Sequence, residues 1–561
     1  MADFFTELKR RQSTTLPLLA AAALLLALFA YYDIVCYRDF LLRGDDPAFI
    51  GATLSSPIDW FTRGYADYFD VYPEWGTRIG TDFIRPVTNL VAYANHAVFG
   101  ENYALHFALF FLVQFASLAI ILRLLRETSV PPAAAAGMGL LYLFNPAFLN
   151  AGLTGLAFHF DVLAALMELA ALLALWRGRN IVALILLTLA VFTKETAVFA
   201  PLAAALTVLV WSGNRRSALL MLSPLVPWIA ARFFVSGDVL GRQLDIPAGS
   251  VAAGVLVWPT GMTPYDIVIG FPSMLTFSRR DMLWTAWIAV NAAMWLFMFY
   301  AVYIASRRAL ASSPQGGKAD QLAAAFPIWM LGALAVCVIT APLTRYGSGY
   351  YAFLYLFLGN FLFSPAARVP RWLSASVVLV FSAATAFQLE RSLEFSSTWQ
   401  SFVSRERALY DALRALPQDG GTVYVVSAPP AYVSAPKYLT RAWSLNLNVV
   451  IVNHALRCAR SDDSARTEFA EATPGLLDVR IPDCAEFGFT RVSPDLYRRG
   501  IGGTLLRERI GTYQFPEGHA SADGSNFTLG HELKFQIDPT QHPIILTYNW
   551  TTGAYSPLPR R

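Results

Sequence analysis

Tyr103-Ala-Leu-His-Phe-Ala-Leu-Phe-Phe-Leu-Val-Gln-Phe-Ala-Ser-Leu-Ala-Ile-Ile-Leu-Arg-Leu-Leu-Arg126 decides the fold class. It is an apolar run of the length needed to cross ~30 Å of hydrocarbon, closed at one end by Arg123 and Arg126. Similar runs of roughly 17 to 25 residues recur about eleven times. They lie near 15 to 35, 103 to 125, 131 to 150, 158 to 176, 180 to 194, 197 to 212, 217 to 235, 281 to 306, 322 to 342, 350 to 366 and 372 to 389. The two near 190 are short and are separated by Thr193-Lys-Glu-Thr196.

Bulk composition agrees, with 55% hydrophobic and 14% aromatic residues against only 15% charged over 561 positions. That balance belongs to a polytopic α-helical membrane protein. A formal charge of +4, spread in short basic clusters, gives no electrostatic footprint for nucleic acid. The first run follows Lys9-Arg-Arg11 and has no small-residue cleavage site, so it reads as a retained helix rather than a signal peptide.

Basic residues collect in every second loop: Lys9 to Arg11, Arg123 and Arg126, Arg177 and Arg179, Arg215 and Arg216, Arg307 and Arg308, Arg368 and Arg371. All fall on one side, which the positive-inside rule makes cytoplasmic. The N-terminus is then inside. The loops at 36 to 102 and 236 to 280, the turns near 151 to 158, 193 to 197 and 343 to 350, and everything after about 390 share the outer face.

From 390 the pattern becomes polar and turn-rich, without a spanning run. The expected organisation is a membrane domain over 1–390 and a soluble α/β or α+β domain over 391–561. Val423-Tyr-Val-Val-Ser427 and Asn448-Val-Val-Ile-Val-Asn453 read as buried strands, and Arg405 to Leu416 as an amphipathic helix. Of four cysteines, Cys36 and Cys337 sit in or beside apolar runs. Cys458 and Cys484 are the candidate pair for one disulfide if the tail is extracytoplasmic.

Ionisable groups at helix ends facing a cavity are functional candidates in a membrane protein. On the outer face these are Asp45 and Asp46 in Arg43-Gly-Asp-Asp-Pro-Ala-Phe49, His159-Phe-Asp161, Lys194 with Glu195, Arg345 with Tyr346, and Arg232. Each also has a purely structural role available. Asp46 can cap a helix opening at Pro47, Asp161 can cap the fourth span, and Arg345 can snorkel to the interface. His159 has no second His or Cys at metal-ligand spacing. Lys194 and Glu195, about 100° apart on a helix, are suited to two separate partners rather than to each other.

Acids, cations and a lipid-facing cavity suit transfer of a group from a lipid-phosphate donor to a hydroxyl. A carboxylate takes the acceptor proton, and Arg and Lys stabilise the departing phosphate. An ordinary Asp is ionised near neutral pH and ready to accept.

The order Asp45-Asp46, Asp82-Phe-Ile-Arg-Pro-Val-Thr-Asn89 with Phe99-Gly-Glu-Asn-Tyr-Ala-Leu-His106, Phe144-Asn-Pro146, Phe158-His-Phe-Asp161-Val-Leu-Ala and Phe192-Thr-Lys-Glu-Thr-Ala197 resembles the GT-C superfamily of membrane glycosyltransferases. The resemblance is closest to the protein O-mannosyltransferase and transmembrane tetratricopeptide-bearing branch, and it covers about residues 15 to 215 plus the general layout to 390. It implies a polyprenyl-phosphate sugar donor and inversion at the anomeric carbon. Matched by position, Asp45 becomes the base, Asp46 its support and Asp161 the second acid. Lys194 and Glu195 match the Lys-Glu pair, with Glu195 and His159 supporting, and Arg85 falls in the Arg-Pro element. Lys194, Arg85, Arg232, Arg345 and Tyr346 form the expected phosphate-binding set. Departures are Asn145 where relatives often carry His, Asn150 where an acid is often found, and the lack of tetratricopeptide repeats.

A divalent metal is not favoured as cofactor, because Arg and Lys can serve a monophosphate donor alone. The expected partners are the lipid-linked donor, membrane lipid and a saccharide, lipid or protein acceptor. With 5 Lys among 43 basic residues and heavy alanine use, the chain has a GC-rich bacterial composition. This places it in a bacterial inner membrane with its tail in the periplasm. The competing classes are a transporter or flippase of lipid-linked saccharides, a polymerase or ligase, and an acyltransferase using His96, His106 or His159.

Overall fold

The computed structural model of the chain describes residues 85–100, 102–145, 159–236, 277–311, 317–340, 347–365, 369–426, 445–451, 468–473, 476–480, 489–493, 496–499, 532–536, 544–549 and 552–557, with residue 27. Asp45, Asp46, Asn150, Arg345, Tyr346, Cys458 and Cys484, and the first apolar run apart from residue 27, lie outside the described residues.

Helices dominate. In chain order they are α1 (Pro86–Phe99), α2 (Tyr103–Glu127), α3 (Pro132–Leu143), α4 (His159–Trp176), α5 (Asn180–Thr193), α6 (Phe199–Ser212), α7 (Arg215–Leu222), α8 (Leu225–Ser236), α9 (Phe277–Ala311), α10 (Lys318–Thr340), α11 (Ser348–Phe363) and α12 (Arg371–Arg414). A 3-10 turn, Glu195–Val198, joins α5 to α6. Local chemistry sets several ends. Pro86 opens α1, where its missing N–H costs nothing. Asn214 caps α7 by accepting from the Ser217 N–H at 3.1 Å. Gly213, at φ 64°, stops α6 in the left-handed region that glycine tolerates.

Among the described residues five segments are long and apolar enough to cross a membrane: Ala108–Glu127, His159–Trp176, Glu195–Ser212, Arg215–Phe234 and Lys318–Val336. Eleven are expected over the whole chain, the first of them, but for residue 27, outside the described residues. Among the described residues the other apolar helices are shorter, Pro132–Leu143, Asn180–Thr193, Ala289–Ala305, Ser348–Phe363 and Arg371–Thr385. At 1.5 Å per residue the 14 residues of α5 rise only about 21 Å, short of the ~30 Å hydrocarbon layer.

The core is built around α11. Every residue from Tyr350 to Leu358 is at most 1% exposed, as suits a helix apolar on all sides. It packs on α2, α3, α4 and α10. Close approach depends on glycine: a Cβ at Gly359 would stand 2.8 Å from Leu125 Cδ2 and 3.1 Å from Met138 Cγ. The outer helices turn large apolar side chains outward, among them Phe234, Leu296, Phe299 and Leu379. That much exposed hydrocarbon is costly in water and unremarkable against lipid.

Beyond the helices, β1 (Thr422–Val426), β2 (Asn448–Ile451), β8 (Ile544–Asn549) and β9 (Ala554–Pro557) form a sheet in the order β2-β1-β8-β9. β1 is parallel to both β2 and β8, while β9 is antiparallel to β8. Val423, Val425, Val449 and Leu546 pack there against Leu409, Tyr410 and Leu413 from the end of α12. Tyr424 is only half-buried, so one face of β1 carries the core. Further strands are β3 (Glu468–Thr473), β4 (Leu476–Arg480) and β7 (Glu532–Gln536) in one antiparallel sheet, and the hairpin β5 (Phe489–Ser493) with β6 (Leu496–Arg499). α12 runs unbroken across the 390/391 boundary that composition suggests.

Candidate functional site

α4 and α5 form an antiparallel hairpin joined by Arg177-Gly-Arg179, so the start of α4 lies beside the end of α5. The charged residues at those ends therefore meet at the end opposite the arginine turn. Lys194 leaves the helix in an extended conformation, φ −152° and ψ 139°, which turns its side chain away from that of Glu195. Lys194 Nζ reaches Asp161 Oδ2 at 3.2 Å, with both side chains at most 4% exposed.

Glu195 has another partner. Arg85, just before α1, donates Nε to Glu195 Oε1 at 2.8 Å and to Oε2 at 2.9 Å, and Nη2 to Oε2 at 2.6 Å. The same junction is tied by Thr88, whose hydroxyl donates to the Thr193 carbonyl at 2.5 Å. Two ion pairs thus stand side by side where α1, α4 and the α5–α6 junction converge. Buried charges persist only when paired in this way, because each desolvated ion left alone costs several kcal/mol.

A third acid sits deeper. Glu168, seven residues after Asp161 on α4, is two turns along the same face, or about 10 Å at 1.5 Å per residue. It is 2% exposed, and its Oε2 is buried with no hydrogen-bond donor among the described residues. Gly349, in the first turn of α11, makes the space: a Cβ there would lie 2.5 Å from Glu168 Oε2. The sequence reading passes over Glu168, although its seven-residue spacing from Asp161 marks a shared face.

At the same end of the bundle α1, α2 and α4 form a partly open recess lined by Asn95, His106 and His159 among apolar side chains. The His159 ring stacks on Phe110 at 4.3 Å. His106 precedes the apolar window of α2 and bonds the Gly100 carbonyl through Nε2 at 3.1 Å. With a carbonyl as partner, Nε2 must be the protonated nitrogen.

The sequence-derived site is thus partly assembled. Asp161, Lys194, Glu195 and Arg85 come together. Lys194 and Arg85, expected to hold phosphate, are each engaged by a carboxylate, and Asp161, expected to be catalytic, is a buried counter-ion. Arg232 on α8 is 2% exposed, its guanidinium 5.3 Å from the centre of the Trp228 ring. Asn145, at the position where histidine is often found, donates to the Tyr355 hydroxyl at 2.8 Å and so anchors α3 to α11. Among the described residues no cluster of three or more His, Cys, Asp or Glu is arranged to hold a metal. No protein-family model matches the chain, and no curated protein matches it in sequence.

Proposed function

We propose that the chain is an inverting glycosyltransferase of the GT-C type, moving a sugar from a polyprenyl-phosphate donor to a hydroxyl on the outer, periplasmic face of a bacterial inner membrane. The reading includes eleven spans, an inner N-terminus and a periplasmic tail. The observation that carries it is the double ion pair, Lys194 with Asp161 and Arg85 with Glu195, at the helix ends opposite the arginine turn. Cations preorganised at a membrane boundary suit a developing phosphate charge.

In this mechanism Asp45 removes the acceptor proton and the freed oxygen attacks the anomeric carbon. The bond from that carbon to the phosphate oxygen breaks on the opposite face, and the polyprenyl phosphate leaves with the electron pair. Lys194 meets the new charge, while Asp161 holds Lys194 in place between turnovers. Arg345, Tyr346 and Arg232 complete the phosphate set, and Asp46 caps the helix behind Asp45. The test is transfer from a labelled polyprenyl-phosphate sugar by the purified chain. Asp45→Asn and Asp161→Asn should each lower turnover by about 10²-fold or more. Unchanged transfer in both variants removes the mechanism.

One observation favours a second reading, a proton-coupled transporter or flippase of lipid-linked saccharides. Glu168 lies in mid-helix, where ionisable groups serve proton relays. Glu168→Gln would abolish proton-linked flux in liposomes on that reading and leave sugar transfer intact on the first.

A further inference from the structure

Between the end of α11 and the first three turns of α12 lies an open groove of about 540 Å³, within the range that holds sizeable ligands. Its walls are mostly apolar, with Leu362, Phe363, Val378 and Leu379 prominent, and Arg371 stands at one end. Ser374 fixes the two helices together by donating to the Leu362 carbonyl at 3.4 Å. From Arg371 to Ser382, the last residue lining the groove, is about 16 Å of helix at 1.5 Å per residue. One bilayer leaflet contributes half of the ~30 Å hydrocarbon, so the groove has the depth of a single leaflet.

Charge indicates the occupant. Arg371 is exposed and forms no ion pair among the described residues. No Asp or Glu occurs anywhere from 321 to 389, and Arg368 stands three residues before Arg371. Next to Arg371, Trp372 is 69% exposed, an aromatic of the kind that sits at headgroup level. We infer that this groove binds an anionic phospholipid, its phosphate against Arg371 and one acyl chain lying between α11 and α12 toward Ser382. Basic recesses between membrane helices on the positively charged side recognise acidic headgroups in this way. The site is separate from the ion-pair cluster and does not depend on the reaction assigned to it.

Native mass spectrometry of the purified full chain in micelles, titrated with phosphatidylglycerol or phosphatidylcholine, tests the inference. Wild type should retain phosphatidylglycerol several-fold better than phosphatidylcholine. Arg371→Gln should cut phosphatidylglycerol retention about five-fold and leave phosphatidylcholine unchanged. Arg307→Gln, an exposed arginine outside the groove, should change neither. Ala375→Phe, which fills the groove, should reduce both lipids together. Equal retention of the two lipids by wild type, or an Arg371→Gln variant that holds phosphatidylglycerol undiminished, overturns the assignment. So does a wild-type dimer that Ala375→Phe dissociates, because the groove would then be seating a second copy.

Discussion

Lys194 and Glu195 are adjacent in the chain yet belong to different ion pairs, and the reason is local. α5 ends at Thr193, so Lys194 is extended and Glu195 opens the 3-10 turn. The sequence predicts two separate partners from the spacing of about 100° on a helix, whereas in the structure the divergence comes from the helix ending before Lys194. That Glu195 meets Arg85, 110 positions away, is not legible in the sequence, because no local pattern encodes a tertiary partner. Lys194→Met strands the Asp161 carboxylate in a dry site and should destabilise the chain by about 3–5 kcal/mol. Lys194→Met with Asp161→Asn should recover most of that loss in thermal unfolding of the detergent-solubilised protein. A double variant no more stable than the single one would mean that the pair is not a closed electrostatic unit.

At the scale of elements, the apolar runs reveal the helices well, because twenty consecutive apolar residues have few other uses. What they miss is depth and packing. α5 and α11 have the composition of spans but are short, and α11 is the hub of the bundle rather than a lipid-facing rod. Glycines carry that information in a form that composition hides. Gly349 admits the Glu168 carboxyl to the α4–α11 interface. Gly349→Ala should cost about 1–3 kcal/mol through overpacking, and clearly less in a Glu168→Ala background where the obstructing carboxyl is gone. Such a cycle should show a coupling of at least ~0.5 kcal/mol, as expected for residues in contact. Additive single and double variants would show that α11 shifts freely and that Gly349 is not placed for Glu168. α12 adds a different element-level fact. As one helix of 44 residues it is about 66 Å long, so it links its apolar first turns directly to the sheet core at Leu409 and Leu413.

For the molecule as a whole, the sheet at the end of α12 is the part least legible in sequence. β1 and β2 are recognisable as short continuous apolar runs, but the strand beside β1 on its other edge is β8. Val423 pairs with Ile544, about 120 residues later. Closing a loop of that length costs on the order of 4 kcal/mol of chain entropy before any contact forms. The return comes from burying Leu546 and Tyr548 and from covering Val423 and Val425, at about 1.5–3 kcal/mol for each large apolar side chain. β8 is interior to the order β2-β1-β8-β9, so without it β1 becomes an open edge over a half-covered core. Removing residues 544–557 should therefore melt the sheet while leaving the helices around α11 folded, since Tyr350 to Leu358 are buried by α2, α3, α4 and α10. Limited proteolysis should then cleave within β1 (422–426) and β2 (448–451) faster than in the full chain, with the bundle's own thermal transition unchanged. Cleavage of those strands no faster in the shortened chain would show that β1, β2 and α12 are stable without β8, and that the long-range pairing is dispensable.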